Sequence, residues 1–150
     1  MTMRESWMTL QERQMIWLLR WWVGFFAVAT IGFAFFPREI IYWLNVIGHV
    51  IFKWPYKTLS FPTEHFWQVL AVSLLCLLTY ISFSVAKDIR QNLSHVKYII
   101  LSKFVTTVGF LAFFILSGPY FAYLAGAVID FIILALTWSC YIRTNRSRGL

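Results

Sequence analysis

The sequence predicts an all-α integral membrane protein: a four-transmembrane-helix bundle with an additional interfacial amphipathic helix between spans one and two. Three observations predict it. Of 150 residues, 60% are hydrophobic and only 13% charged, whereas soluble domains run near ~45–50% apolar and ~25% charged. Several apolar runs exceed the ~18 residues that argue for a membrane crossing, and a mean hydropathy of +0.69 agrees. The basic residues collect at the ends of those runs and between them, as membrane orientation requires. Together these exclude a soluble protein with a large core.

The first span runs from about 15 to 36, and Pro37 ends it. Fourteen mostly polar residues precede it. An A-x-A pattern at Ala27-Val28-Ala29 resembles a signal-peptidase site. The apolar run continues to Phe36, too long for a signal core, so an uncleaved anchor is expected. Residues 38–54 are apolar but interrupted. Arg38, Tyr42, Asn45, His49 and Lys53 stack on one helical face, which suits a helix lying in the interface; a re-entrant or spanning segment is the alternative. The second span runs from about 65 to 86, with Thr63 as a candidate N-cap. The third covers about 96–117. A Gly118-Pro119 turn leads into the fourth, about 120–142. Each is long enough to cross a ~30 Å hydrocarbon core. No internal repeat or linker divides the chain, so residues 1–150 are expected to form a single membrane domain.

The formal charge is +7. No cluster of Lys and Arg with interleaved exposed aromatics occurs, and nucleic-acid binding is not expected. Counted by side, Arg4, Arg13, Lys87, Arg90, Lys97, Arg143, Arg146 and Arg148 face Arg38, Lys53 and Lys57. The imbalance predicts N- and C-termini in the cytoplasm, with a bacterial inner membrane as the expected location. Trp17, Trp21, Trp22, Trp43, Trp54, Trp67 and Trp138 sit near span ends, as an aromatic belt would. Cys76 and Cys140 should lie at different depths, so no disulfide is expected.

The chemically informative residues are charges inside the spans. Lys103 interrupts IILSKFVTTVGFL at 99–111, and Asp130 interrupts AGAVIDFIILAL at 125–136. Intramembrane ionisable groups are costly and mark functional or structural sites. Asp130, short and near the midplane, needs a partner. Lys103 could instead snorkel to the headgroups. Counting from the span ends puts Lys103 about 10 Å and Asp130 about 18 Å from the cytoplasmic edge. The side chains lean in opposite directions, which opposes direct pairing. Ala122, Gly126 and Asp130 form a small-residue ridge that should turn the carboxylate toward protein. Tyr80, Lys103, Thr106 and Asp130 are the candidate polar cluster, with Thr107 one turn beyond Lys103. Ser73, Cys76, Tyr80 and Ser84 share a stripe of span two that would face it. Arg20 is either a headgroup anchor beside Trp21 and Trp22 or, with Lys103, a basic pocket for anionic lipid.

Other chemistry finds little footing. His49, His65 and His95 offer no i, i+4 pair for haem. His49, Glu64 and His65 read as interfacial polar residues rather than a metal site, and Asp88 reads as part of a solvated loop. No metalloprotease, nucleophile-elbow, phosphate-loop or paired-carboxylate motif occurs, so neither catalysis nor a cofactor is expected. An inward N-terminus, an outer helix after span one and short later loops make the arrangement similar to small bacterial four-span proteins of the DoxX-like kind. That similarity is architectural, and no residue carries over from it. The leading expectation is a non-catalytic structural or accessory subunit of a larger membrane complex. Its partners would be membrane lipids and a membrane protein or further copies of itself. The alternative is a protein handling a small molecule, a lipid or quinone, or protons through the Lys/Asp cluster.

Overall fold

The computed structural model describes residues 8–56, 58–60, 65–147 and 149. Among the described residues six helices follow one another: α1 Leu10–Phe35, α2 Pro37–Val50, α3 Phe66–Lys87, α4 Ile89–Asn92, α5 Val96–Leu116 and α6 Phe121–Ser147. A 3-10 turn, Leu93–His95, joins α4 to α5. Four helical stretches are long and apolar enough to cross a membrane: α1, α3, α6 and the run from α4 through α5. The protein is therefore an integral membrane four-helix bundle, with the short amphipathic α2 between spans one and two.

Several boundaries differ from the apolar pattern, each for a local reason. α1 starts at Leu10 because Thr9 caps it. The Thr9 hydroxyl accepts from the Glu12 amide at 3.2 Å, and the Glu12 carboxylate accepts from the Thr9 amide at 3.0 Å. That reciprocal box satisfies two amides of the first turn. Pro37 cannot continue α1, having no N–H to give, but suits the first turn of α2. α2 ends at Val50, short of Lys53, and its 14 residues reach about 21 Å, less than a bilayer core. His65 stands at the N-cap of α3 without a capping side chain. Thr63 lies outside the described residues, as do Arg4, Lys57, Glu64 and Arg148. Asp88 is a capping residue rather than a merely solvated one: its carboxylate accepts from the Arg90 and Gln91 amides at 3.1 and 3.3 Å. α6 runs five residues past Ile142, because Thr144 is fully buried there and its hydroxyl donates to the Gln11 carbonyl of α1 at 3.3 Å.

α1 packs chiefly on α3, and α5 chiefly on α6. The two pairs meet along α1 and α6, where the Trp22 indole N–H donates to the Thr137 hydroxyl at 3.0 Å. Trp22 thus serves the bundle interior, which corrects its assignment to an interfacial belt. Inside hydrocarbon, apolar burial alone gives little drive to associate, so contacts like this one and close packing hold the pairs together.

The buried core lies toward the end that carries both termini. It comprises Met15, Leu19 and Phe26 of α1, Leu78 and Val85 of α3, Ile89, Leu93, Val96, Ile99 and Ile100 of the α4–α5 arm, and Ile133 of α6. Among the described residues, no position of α1 beyond Phe26, of α3 before Leu78, of α5 beyond Thr107 or of α6 before Ala127 is buried. At the other end α2 bridges the pairs. Gly48 lies so close to Phe121 of α6 that an added Cβ would sit 2.8 Å from the ring. The Trp54 indole donates to the Pro119 carbonyl at 2.7 Å. Asn45 holds the segment after α2, donating to the Leu59 carbonyl at 3.0 Å and accepting from its amide at 3.1 Å. Cys76 and Cys140 are both free.

Candidate functional site: a buried ion pair between α5 and α6

Lys103 sits two turns into α5 and Asp130 nine residues into α6. The hairpin brings the two helices together, and the Lys103 ammonium donates to Asp130 Oδ1 at 2.7 Å. Their side chains are 8% and 10% exposed, so the pair is withdrawn from its surroundings. This corrects the argument from backbone height. Measured from the turn, Asp130 is nine residues from Phe121 and Lys103 thirteen from Leu116, a difference of about 6 Å along the axes. The four-methylene lysine stem spans that difference by running along its own helix toward Thr106. Lys103 therefore does not snorkel to the bundle end; its ammonium is spent on the carboxylate.

The surrounding groups complete the arrangement. The Thr106 hydroxyl donates to Asp130 Oδ2, so each carboxylate oxygen has a donor. The Thr107 hydroxyl turns back to the Lys103 carbonyl at 2.6 Å. The Phe26 ring of α1 lies 5.1 Å from the ammonium, within cation–π range. α1 thereby covers a pair made by α5 and α6. The desolvation of two charges is offset only when such geometry is good, and here both carboxylate oxygens have donors while the Phe26 ring covers the ammonium.

The helix approach that permits the pair is visible one turn earlier on α6. A Cβ on Gly126 would stand 2.9 Å from the edge of the Phe110 ring of α5. Ala122, one turn before, is half-buried on the same ridge. The small residues bring α5 and α6 close, and Asp130 follows on that ridge.

Two residues expected at this site stand elsewhere. Tyr80 is 69% exposed and faces away from the bundle. Ser73 and Cys76 are exposed with it, so that α3 stripe lines the outside, not the cluster. α3 presents its opposite face, Leu78, Ser82 and Val85, to the core. Arg20 is exposed and forms no pocket with Lys103, because it stands about a third of a turn round α1 from Phe26, the residue that faces the pair. It shares a groove instead with Lys87 of α3. Sequence reasoning missed Phe26, Trp22 and Thr137, since nothing in a run of aromatics marks which ring turns inward. Among the described residues, no three His, Cys, Asp or Glu side chains converge in a way that could hold a metal ion.

No protein-family model matches the chain, and neither a curated protein nor a solved structure does. The architectural likeness to DoxX-like proteins therefore brings no functional residue to this chain, and the functional reading rests on the geometry above.

Proposed function

We propose that this small membrane protein is a non-catalytic structural or accessory subunit of a larger membrane assembly. The observation that carries this reading is the closure of the intramembrane charge cluster on itself. The Lys103 ammonium meets Asp130 at 2.7 Å, and Thr106 takes the second carboxylate oxygen. Both carboxylate oxygens are engaged in joining α5 to α6, and the ammonium is held between Asp130 and the Phe26 ring. The site acts as an interhelical clasp.

A partner face is suggested by Tyr80. It stands seven residues, about 10 Å, from the end of α3, exposed on one side with Ser73 and Cys76. Among the described residues its hydroxyl has no hydrogen-bond partner. A hydroxyl left unpaired in hydrocarbon is costly, and a neighbouring transmembrane helix with an acceptor would relieve that cost.

The test uses the exposed thiol of Cys76. With Cys140→Ala as background, a short bifunctional thiol reagent added to native membranes is expected to join Cys76 to another chain in stoichiometric amount. Mass spectrometry after gentle extraction would identify that chain. A protein extracted as a lone, monodisperse particle with no crosslinked product would contradict the reading, and a tightly held small molecule in its place would favour the ligand-handling alternative.

The excess of Lys and Arg on the terminal side supports termini in the cytoplasm. A cysteine introduced as Gly149→Cys is then expected to react with a membrane-impermeant thiol reagent in inverted vesicles and not in intact cells. Labelling in intact cells would reverse the orientation.

A further inference from the structure

Arg20 stands where two grooves meet. One, of about 660 Å³, runs along the outer face of α1 past Trp21, Gly24 and Val28. The other, of about 240 Å³, lies between α1 and α3, with Arg20 and Lys87 as its cations and Val23, Phe83 and Ala86 as its apolar lining. Past Val23 and Phe83 it opens into a further groove of about 480 Å³ that reaches Ile31. Among the described residues, no Asp or Glu lines any of the three. Arg20 and Lys87 are both exposed.

The levels and directions of these features are those of a lipid. Lys87 is the last residue of α3, so the two cations mark the level at which that span ends. From Arg20 the α1 face extends eight residues to Val28 and eleven to Ile31, about 12 and 16 Å along the axis. One leaflet of a ~30 Å hydrocarbon core is about 15 Å deep. At roughly 100° per residue, the Trp21–Gly24–Val28 track and the Val23–Ala27–Thr30 track lie about a third of a turn apart around α1, with Arg20 between them. A single helix about 10 Å across would fill one track and leave the other open. Two acyl chains from one headgroup would fill both.

The geometry points to a diacyl phospholipid with an anionic headgroup, its phosphate held by Arg20 and Lys87, one chain along the Trp21–Val28 track and the other along Val23, Ala27 and Thr30, between α1 and the partner helix proposed on the Cys76 and Tyr80 side of that groove. The two cations select the headgroup by charge, because a zwitterionic lipid brings a cation of its own toward them. Arginine adds a planar fork of donors suited to phosphate oxygens.

The test follows from Trp17 and Trp21, which line the first track. The purified full chain is reconstituted in phosphatidylcholine vesicles containing a minor fraction of either brominated phosphatidylglycerol or brominated phosphatidylcholine. The anionic lipid is expected to reach half-maximal tryptophan quenching at a mole fraction roughly thirtyfold lower, the scale expected of two juxtamembrane cations. Trp17→Phe/Trp21→Phe should remove most of that quenching. Arg20→Gln/Lys87→Gln should erase the preference, while Arg20→Lys/Lys87→Arg and the distant Arg143→Gln should keep it. Equal quenching by the two lipids in the wild-type protein would overturn the proposal. So would a preference that survives the paired Gln variant or is lost equally with Arg143→Gln, since either places the selectivity elsewhere. A partner helix seated in the groove would shield Trp17 and Trp21 from both lipids, and that result also overturns it. Should the paired Gln variant lose its helical circular-dichroism spectrum, the wild-type and Arg143→Gln titrations decide the matter.

Discussion

Lys103→Met is expected to destabilise the bundle by about 3–5 kcal/mol, the usual cost of leaving one member of a buried ion pair without its counterion. Asp130 would keep only the Thr106 hydroxyl, and its side chain is too short to reach any headgroup. Asp130→Leu should cost less, about 1–2 kcal/mol, because a released Lys103 can extend toward the interface along its methylene stem. Lys103→Met/Asp130→Leu removes both charges and leaves apolar groups of similar bulk. Such replacements are often neutral or stabilising, so the double variant should lie within about 1 kcal/mol of wild type or above it. Reversible unfolding in mixed micelles, followed by far-ultraviolet circular dichroism, would give the three values. An Asp130→Leu protein less stable than Lys103→Met would contradict the assigned asymmetry.

The second large effect is expected at Gly48. A Cβ added there would meet Phe121 Cγ at 2.8 Å and Phe121 Cβ at 2.9 Å. The Cβ atom is tied to the backbone of α6, so no rotation of the ring relieves the contact, and α2 must move. That movement would disturb the Phe52–Phe121 and Trp54–Phe121 ring contacts, at 5.0 and 5.8 Å, and the Trp54–Pro119 hydrogen bond at 2.7 Å. Gly48→Ala is therefore expected to cost about 1–3 kcal/mol, as overpacking does, and to speed amide exchange across residues 51–60. Gly109→Ala is the matched control, because its new Cβ would meet nothing within 4 Å. Gly126→Ala should fall between them, since the nearest atoms are at the edge of the Phe110 ring, which can swing away.

The spans were legible because their length and apolarity are properties of a single segment. The faces of those spans were not. α3 is apolar nearly all round, so its few polar residues are the only guide in the sequence, and by that guide Ser73, Cys76 and Tyr80 should face inward. Packing between α1 and α3 put Leu78, Ser82 and Val85 inside instead. The same absence of contrast hid the neighbour of Arg20, which is Lys87 rather than Lys103. Asp130 and Lys103 stood out because charge in an apolar run is visible at any register. Their direct contact did not, because backbone heights omit the reach of a lysine. The terminal extensions of α1 and α6 depend on the Thr9–Glu12 box and on Thr144 meeting Gln11, contacts of polar residues that hydropathy alone does not rank.

The claim that the buried pair is a clasp within a non-catalytic subunit has a direct test. Wild-type protein and Lys103→Met/Asp130→Leu would be extracted gently from native membranes, and the chains that remain bound would be quantified by mass spectrometry. The same partner chains in the same ratio are expected for both, since the pair acts only between α5 and α6. A double variant that folds as stably as wild type yet loses those chains would contradict the account, because Lys103 and Asp130 would then serve something beyond the bundle itself.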